Sequence, residues 1–222
     1  MTRNIIIYFV CISVFFGCEL NVLFDKAVPP GIEAIDQVPT IFQGVYLCES
    51  DSSIIYSDRF IVYQESHFEF KTTLQKVKET EGCSIVDGGI YLPGRQECVP
   101  FEYIGGDSIT AIIYDIDTLF AFREGEVLKY HKGHLFINYQ DDNSNWMTFM
   151  ITPLPDGALK WELIEIPNVE NKINDITDQV VAVENDKNKK KYVINPSLVE
   201  FEYILEKDYT RLCDILNPIN FE

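Results

Sequence analysis

Two histidines three apart are the first side chains in this sequence whose spacing could do chemistry. His131 and His134 form an H-x-x-H pattern, which on a helix would bring both imidazoles to one face for a metal ion. Lys132 and Gly133 between them read instead as a two-residue turn, joining an apolar run at 128–131 to another at 134–139, so the pair is expected across a hairpin. A shared ion would then need Asp141 or Asp142 as a third ligand, and exposed turn histidines are the simpler expectation. Asp141, Asn143 and Asn145 alternate as the opening ligands of a calcium loop do. The sharp turn of such a loop needs glycine where Trp146 stands, and its bidentate glutamate position holds Pro153, so a polar hairpin loop is predicted.

Other chemistries fare no better. The sequence has no G-x-S-x-G motif, and its three histidines lack the context of a general base. Asp115 and Asp117 share a strand face, which serves glycoside chemistry only beside a sugar cleft. Gly105 and Gly106 read as a turn and not as a phosphate loop. No enzyme, catalytic residue or cofactor is predicted.

Cys48, Cys83, Cys98 and Cys213 remain once Cys11 and Cys18 are set aside. In an exported chain this even count permits two disulfides in three pairings. Cys83 with Cys98 would close a loop across 82–100 and contribute about 3 kcal/mol on the chain-entropy account. Buried free thiols are the alternative.

The 222 residues carry a formal charge of −17, which excludes nucleic acid as a partner, because phosphate binding needs clustered Lys and Arg. The basic cluster Lys187, Lys189, Lys190 and Lys191 lies between β-like runs at 179–184 and 192–195, so it reads as a solvated hairpin tip.

The N-terminus is more telling. Arg3 precedes an apolar run at 5–16 without a charge, followed by Gly17 and Cys18. That run is shorter than the roughly 20 residues needed to span a bilayer, so it reads as an export signal. Phe15, Phe16, Gly17 and Cys18 resemble a bacterial lipobox, departing from it where Phe15 replaces the usual Leu and Phe16 the usual Ala or Ser. The resemblance implies a signal peptide at 1–17 and a lipid on Cys18, with membrane attachment through acyl chains at about 0.8 kcal/mol per buried methylene. The stretch 127–138 with Trp146 and Pro155, Asp156, Gly157, and the opening Phe42, Gln43, Gly44, Val45, Tyr46, resemble uncharacterised envelope lipoproteins of Bacteroidota. That resemblance implies an outer-membrane lipoprotein and supplies no catalytic residues.

The elements expected around these residues are mostly strands. Pro29, Pro30, Gly31 and Pro39 mark 18–40 as a tether behind the lipidated cysteine, leaving 41–222 as a single β-rich domain. Phe68, Phe70, Thr72 and Leu74 alternate with His67, Glu69, Lys71 and Thr73, predicting one apolar strand face, while 146–151 is apolar on both faces and is expected to be central. Turns are expected at Gly105–Gly106–Asp107 and Pro155–Asp156–Gly157. The fold class is therefore mainly β, an antiparallel up-and-down meander closing as a barrel or sandwich. A C-terminal helix is predicted from about 197, where Ser197 and Glu200 fit a capping box and Leu198, Phe201, Ile204 and Leu205 repeat at helical spacing. Residues 212–216 are expected to add a short helical turn.

Together these features predict a membrane-anchored, non-enzymatic envelope module whose partner is a protein or envelope component. Two alternatives make different demands: a lipocalin-like carrier needs an apolar cavity of roughly 300 Å3 or more, and a glycan hydrolase needs two carboxylates about 5 to 9.5 Å apart across a cleft.

Overall fold

The computed structural model describes residues 21–186 and 189–219, so the signal peptide, Cys18 and Lys187 lie outside the described residues. The described residues open with β1 (Val22–Phe24) and β2 (Ala34–Ile35), then β3 (Gly44–Cys48), β4 (Ile54–Ser57) and β5 (Ile61–Thr73). A short helix α1 (Leu74–Glu79) leads to β6 (Ser84–Val86), β7 (Gly89–Tyr91), β8 (Cys98–Gly105) and β9 (Ser108–Ala121). β10 (Glu126–His131), β11 (His134–Gln140), β12 (Trp146–Pro153) and β13 (Leu159–Ile164) follow. The chain then forms α2 (Val169–Ile176), β14 (Val180–Asp186), β15 (Lys189–Ile194), α3 (Leu198–Glu206) and β16 (Thr210–Pro218).

The fold is mainly antiparallel β with a C-terminal helix. Two meanders, β3 to β5 and β10 to β13, are joined by β16, which pairs with β13 at Leu159↔Leu216 and with β3 at Leu216↔Cys48. The turns form where φ is positive: Lys132 (49°) and Gly133 (86°) make the two-residue turn between β10 and β11. Gly106 at 59° and Gly157 at 88° serve the turns into β9 and β13. β12 is central, as its two apolar faces predict: it pairs with β11, β13 and, at Trp146, β1.

The sheet curls without closing. Val62 of β5 and Phe120 of β9 share one core with Leu128 of β10, Leu135 and Ile137 of β11, and Trp161 of β13. Strand pairing does not bridge β9 and β10, because β10 gives its outer edge to β2 at Leu128↔Ile35. Side chains make the join. The Glu126 carboxylate accepts the Ala121 N–H at 2.7 Å, and the Tyr139 hydroxyl donates to the Leu119 carbonyl.

The other face of β11 to β13 is covered by a second core. Phe136, Met150 and Ile164 pack there against Val22 and Phe24 of β1, Ile173 and Ile176 of α2, and Phe201 and Ile204 of α3. Ser197 caps α3 by accepting the Glu200 N–H at 3.4 Å, while the Glu200 carboxylate accepts the Ser197 N–H at 2.6 Å, completing the predicted capping box. A small third core forms at the far end of β5 and β9, where Val77 of α1, Ile90 of β7 and Ile109 of β9 pack together.

Several expectations are corrected. The described part of the supposed tether belongs to the domain: Val22, Leu23 and Phe24 are buried, β1 runs parallel to β15, and Val28 and Val38 are core residues. The reason lies in two polar side chains. Asn138 bonds both the N–H and the C=O of Val28 at 2.9 Å, and the Lys129 ammonium donates to the Ala27 and Pro29 carbonyls at 2.7 and 2.9 Å. Residues 212–216 are strand and not helix, because β13 offers β16 a full antiparallel edge. The Cys83–Cys98 disulfide is not formed; both are free thiols. Cys98 pairs with Tyr91 and Tyr91 with Ser84, so β7 separates Cys98 from Cys83 by two interstrand spacings, about 10 Å. That exceeds the roughly 7 Å limit for a bridge.

Candidate functional site

The site with the clearest unmet surface is the ribbon made by β5 and β9. These strands pair along their whole length, from Ile61↔Ala121 to Thr73↔Ser108, but their neighbours are short. β4 leaves the edge of β5 after Glu65, and β8 pairs with β9 only from Ser108 to Ala111. Between those limits, among the described residues, only two strands remain.

Most of that stretch is exposed on both faces, although Ile113 is buried beside Val99 and Ala111. His67, Phe68 and Glu69 on β5 and every residue from Tyr114 to Thr118 on β9 are exposed. Phe68 is 59 %, Tyr114 73 % and Ile116 67 % accessible, values that identify exposed apolar surface and not core. The expected apolar face of β5 is thus split: Phe70 packs at the margin of the third core, while Phe68 stacks on Phe70 and is otherwise exposed. Directly opposed residues share a face, so Ile112, Tyr114 and Ile116 stand beside Glu69, His67 and Glu65. Asp115 and Asp117 stand on the reverse face beside Ser66 and Gln64. Asp115 forms an ion pair with Arg95 at 3.1 Å, and the Arg95 guanidinium also donates to the Tyr114 carbonyl at 3.1 Å.

The histidine pair lies elsewhere. His131 and His134 oppose each other across the predicted turn, yet each has its own partner. The His131 imidazole meets the Glu202 carboxylate of α3 at 2.9 Å, and His134 Nδ1 meets Thr152 Oγ1 at 2.8 Å. Asp141 lies past the other end of β11, about 24 Å along the strand, so it cannot be the third ligand. Among the described residues no third ligand converges on the pair. Neither are these exposed turn residues: Glu202 also takes Lys132 at 2.8 Å, so His131 and Lys132 help to latch α3 onto the hairpin. Lys132 and His131 beside it hold the Glu202 carboxyl below its ordinary value.

Burial pushes the His134 imidazole below its ordinary value, against the opposing pull of Glu162. The unfolded chain therefore takes up this proton first as pH falls through about 6.5, so acidification destabilises the fold until pH passes the lower folded value. Urea midpoints measured at successive pH values between neutrality and the carboxylate range are expected to fall in the wild type and to fall less in His134→Gln. Parallel pH profiles would contradict this assignment.

Among the described residues one group of potential ligands does converge: Cys48, Asp51 and Asp214. Its atoms are already used by the fold. Asp214 Oδ1 accepts the Glu49, Ser50 and Ile215 N–H groups at 3.1, 3.2 and 2.7 Å, and Oδ2 accepts the Ser50 hydroxyl at 2.6 Å. Asp51 accepts the Ser53 N–H and hydroxyl at 2.9 and 2.6 Å, shaping the turn between β3 and β4. Burial pushes the Cys48 thiol up to about 12, so it holds its proton and offers no thiolate. Asp141 likewise shapes a hairpin loop, accepting the Asn143 and Asn145 N–H groups at 2.9 and 2.8 Å.

Sequence reasoning passed over Asn138, Lys129 and Glu162, all buried polar residues in otherwise apolar strands. A polar residue inside a run that is apolar on both faces was the available signal. Comparison of the chain with family models, curated proteins and solved structures finds no match.

Proposed function

We propose that this protein is an exported envelope lipoprotein, anchored through a lipid on Cys18, whose domain is a non-enzymatic binding module for a protein or envelope component. The observation that carries the binding role is the ribbon, whose waist offers Ile112, Tyr114 and Ile116 to solvent on one face and Phe68 on the other. Exposed apolar residues contiguous on one element are characteristic of interaction surfaces. The carrier reading has less support, because the interior of the curled sheet is filled by Phe42, Tyr46, Phe120, Leu135 and Trp161. A recess beside α1 offers about 90 Å3, well below the space a small-molecule site needs.

The anchor acquires a physical meaning from β1. Only three residues separate Cys18 from Val22, which is buried. Four peptide steps reach at most about 14 Å, so a lipid on Cys18 would hold the domain close against the bilayer and not on a long leash. No helix among the described residues is long and apolar enough to cross a membrane.

Two measurements in cells test this reading. Labelling with a palmitate analogue is expected in the wild type and absent in Cys18→Ala; equal labelling would remove the anchor. A photo-crosslinking residue at Tyr114 is expected to capture a partner that the same residue at Val199, equally exposed on α3, does not. Equal capture from both positions would remove the ribbon as the binding element.

A further inference from the structure

We infer that the edge of β9 from Ile112 to Thr118 receives an extended, basic segment of a partner protein, which adds to the ribbon as a further strand. This deepens the binding-module reading above and rests on it. The first argument is geometric. Past Ala111, β9 is paired on one side only among the described residues, so its outer edge has backbone groups for another strand.

The second argument is chemical. A strand laid on this edge would place alternate side chains beside Ile112, Tyr114 and Ile116 on one face and beside Asp115 and Asp117 on the other. Aromatic and β-branched neighbours favour the same kind of residue opposite them, and carboxylates favour Lys or Arg. The complementary segment therefore alternates apolar and basic residues. Arg95 already demonstrates the preference within the chain: its guanidinium sits on the Tyr114 carbonyl and the Asp115 carboxylate, both at 3.1 Å. An incoming basic strand takes over those two acceptors and displaces Arg95.

A second copy of this chain fits badly. Antiparallel self-pairing centred on this stretch would set Asp115 and Asp117 of one copy against those of the other, between molecules that each carry −17. Like charges directly opposite are destabilising. The occupant is thus a basic partner.

Fluorescence anisotropy with a short labelled peptide alternating valine and lysine tests this on the purified protein. Binding is expected, with little for a valine–glutamate peptide. Asp115→Lys with Asp117→Lys should reverse that preference by about tenfold or more, since two charge pairs change sign. Arg95→Ala should tighten binding of the lysine peptide by clearing the edge. N-methylation at alternate residues should abolish binding, because strand addition needs backbone hydrogen bonds and plain charge attraction does not. Equal binding of the N-methylated peptide, or no binding of the lysine peptide, overturns the inference. Self-association of the protein through this edge in sedimentation overturns the choice of partner. Failure here with retained capture from Tyr114 in cells leaves the binding-module reading standing; loss of both removes both.

Discussion

Replacing Phe201 with alanine is expected to lower the unfolding free energy by about 3 to 5 kcal/mol, the range for deleting a fully buried aromatic ring. The ring is completely buried and packs edge-on against Phe24 at 6.0 Å and Phe136 at 5.6 Å between centroids. It therefore ties α3 to β1 and β11 at once. A nine-residue helix has no stability of its own in water, so α3 exists only as far as this packing holds it. The Ser197 cap is worth only about 1 kcal/mol, which makes the ring and not the cap the decisive contact. Urea unfolding followed by tryptophan fluorescence measures the change. A loss below about 1 kcal/mol would mean that α3 is not part of the cooperative core.

Asn138→Ala is expected to cost about 3 kcal/mol or more, although it removes only a small side chain. Asn138 is fully buried and every one of its hydrogen-bonding sites is used. Its amide nitrogen donates to the Val28 and Val127 carbonyls at 2.9 and 3.2 Å, and its oxygen accepts from Val28 N–H and the Thr148 hydroxyl at 2.9 and 2.7 Å. Truncation leaves the Val28 peptide groups and the Thr148 hydroxyl buried without this partner, at about 1 to 3 kcal/mol each when left unsatisfied. The same thermodynamic cycle carries its own check. Thr148→Val removes one orphaned group, so the double variant should be less destabilised than the sum of the two single variants. Strict additivity would show that the four bonds do not act as a network.

How much of this was legible in the sequence depended on whether the signal was local. Lys132–Gly133, Gly105–Gly106 and the Ser197–Glu200 box were readable, because each encodes its geometry within a few residues. β1 was not: Val22, Leu23 and Phe24 are too few to display a period, and their parallel partner at Tyr192 lies far along the chain. β16 was misleading for a specific reason. A register shift between Trp161↔Asp214 and Glu162↔Leu212 inserts one residue into β16 and breaks the period of two, so Leu212, Ile215 and Leu216 imitate helical spacing. α2 was missed despite Val169, Ile173 and Ile176 at helical spacing, since its N-cap Asn168 has no side-chain bond to announce it. The candidate site was the least legible of all. Alternation in β5 predicted a covered face, but whether Phe68 meets core or water is decided by where β4 and β8 stop.

The position of β16 governs the order in which the sheet can assemble. Because it lies between β13 and β3, strand pairing among the described residues does not join the two meanders until Thr210–Pro218 is in place. Long-range closure of this kind is slow and comes late. The two meanders thus stay pliable relative to each other until β16 docks, and a single strand acts as the key that locks both halves.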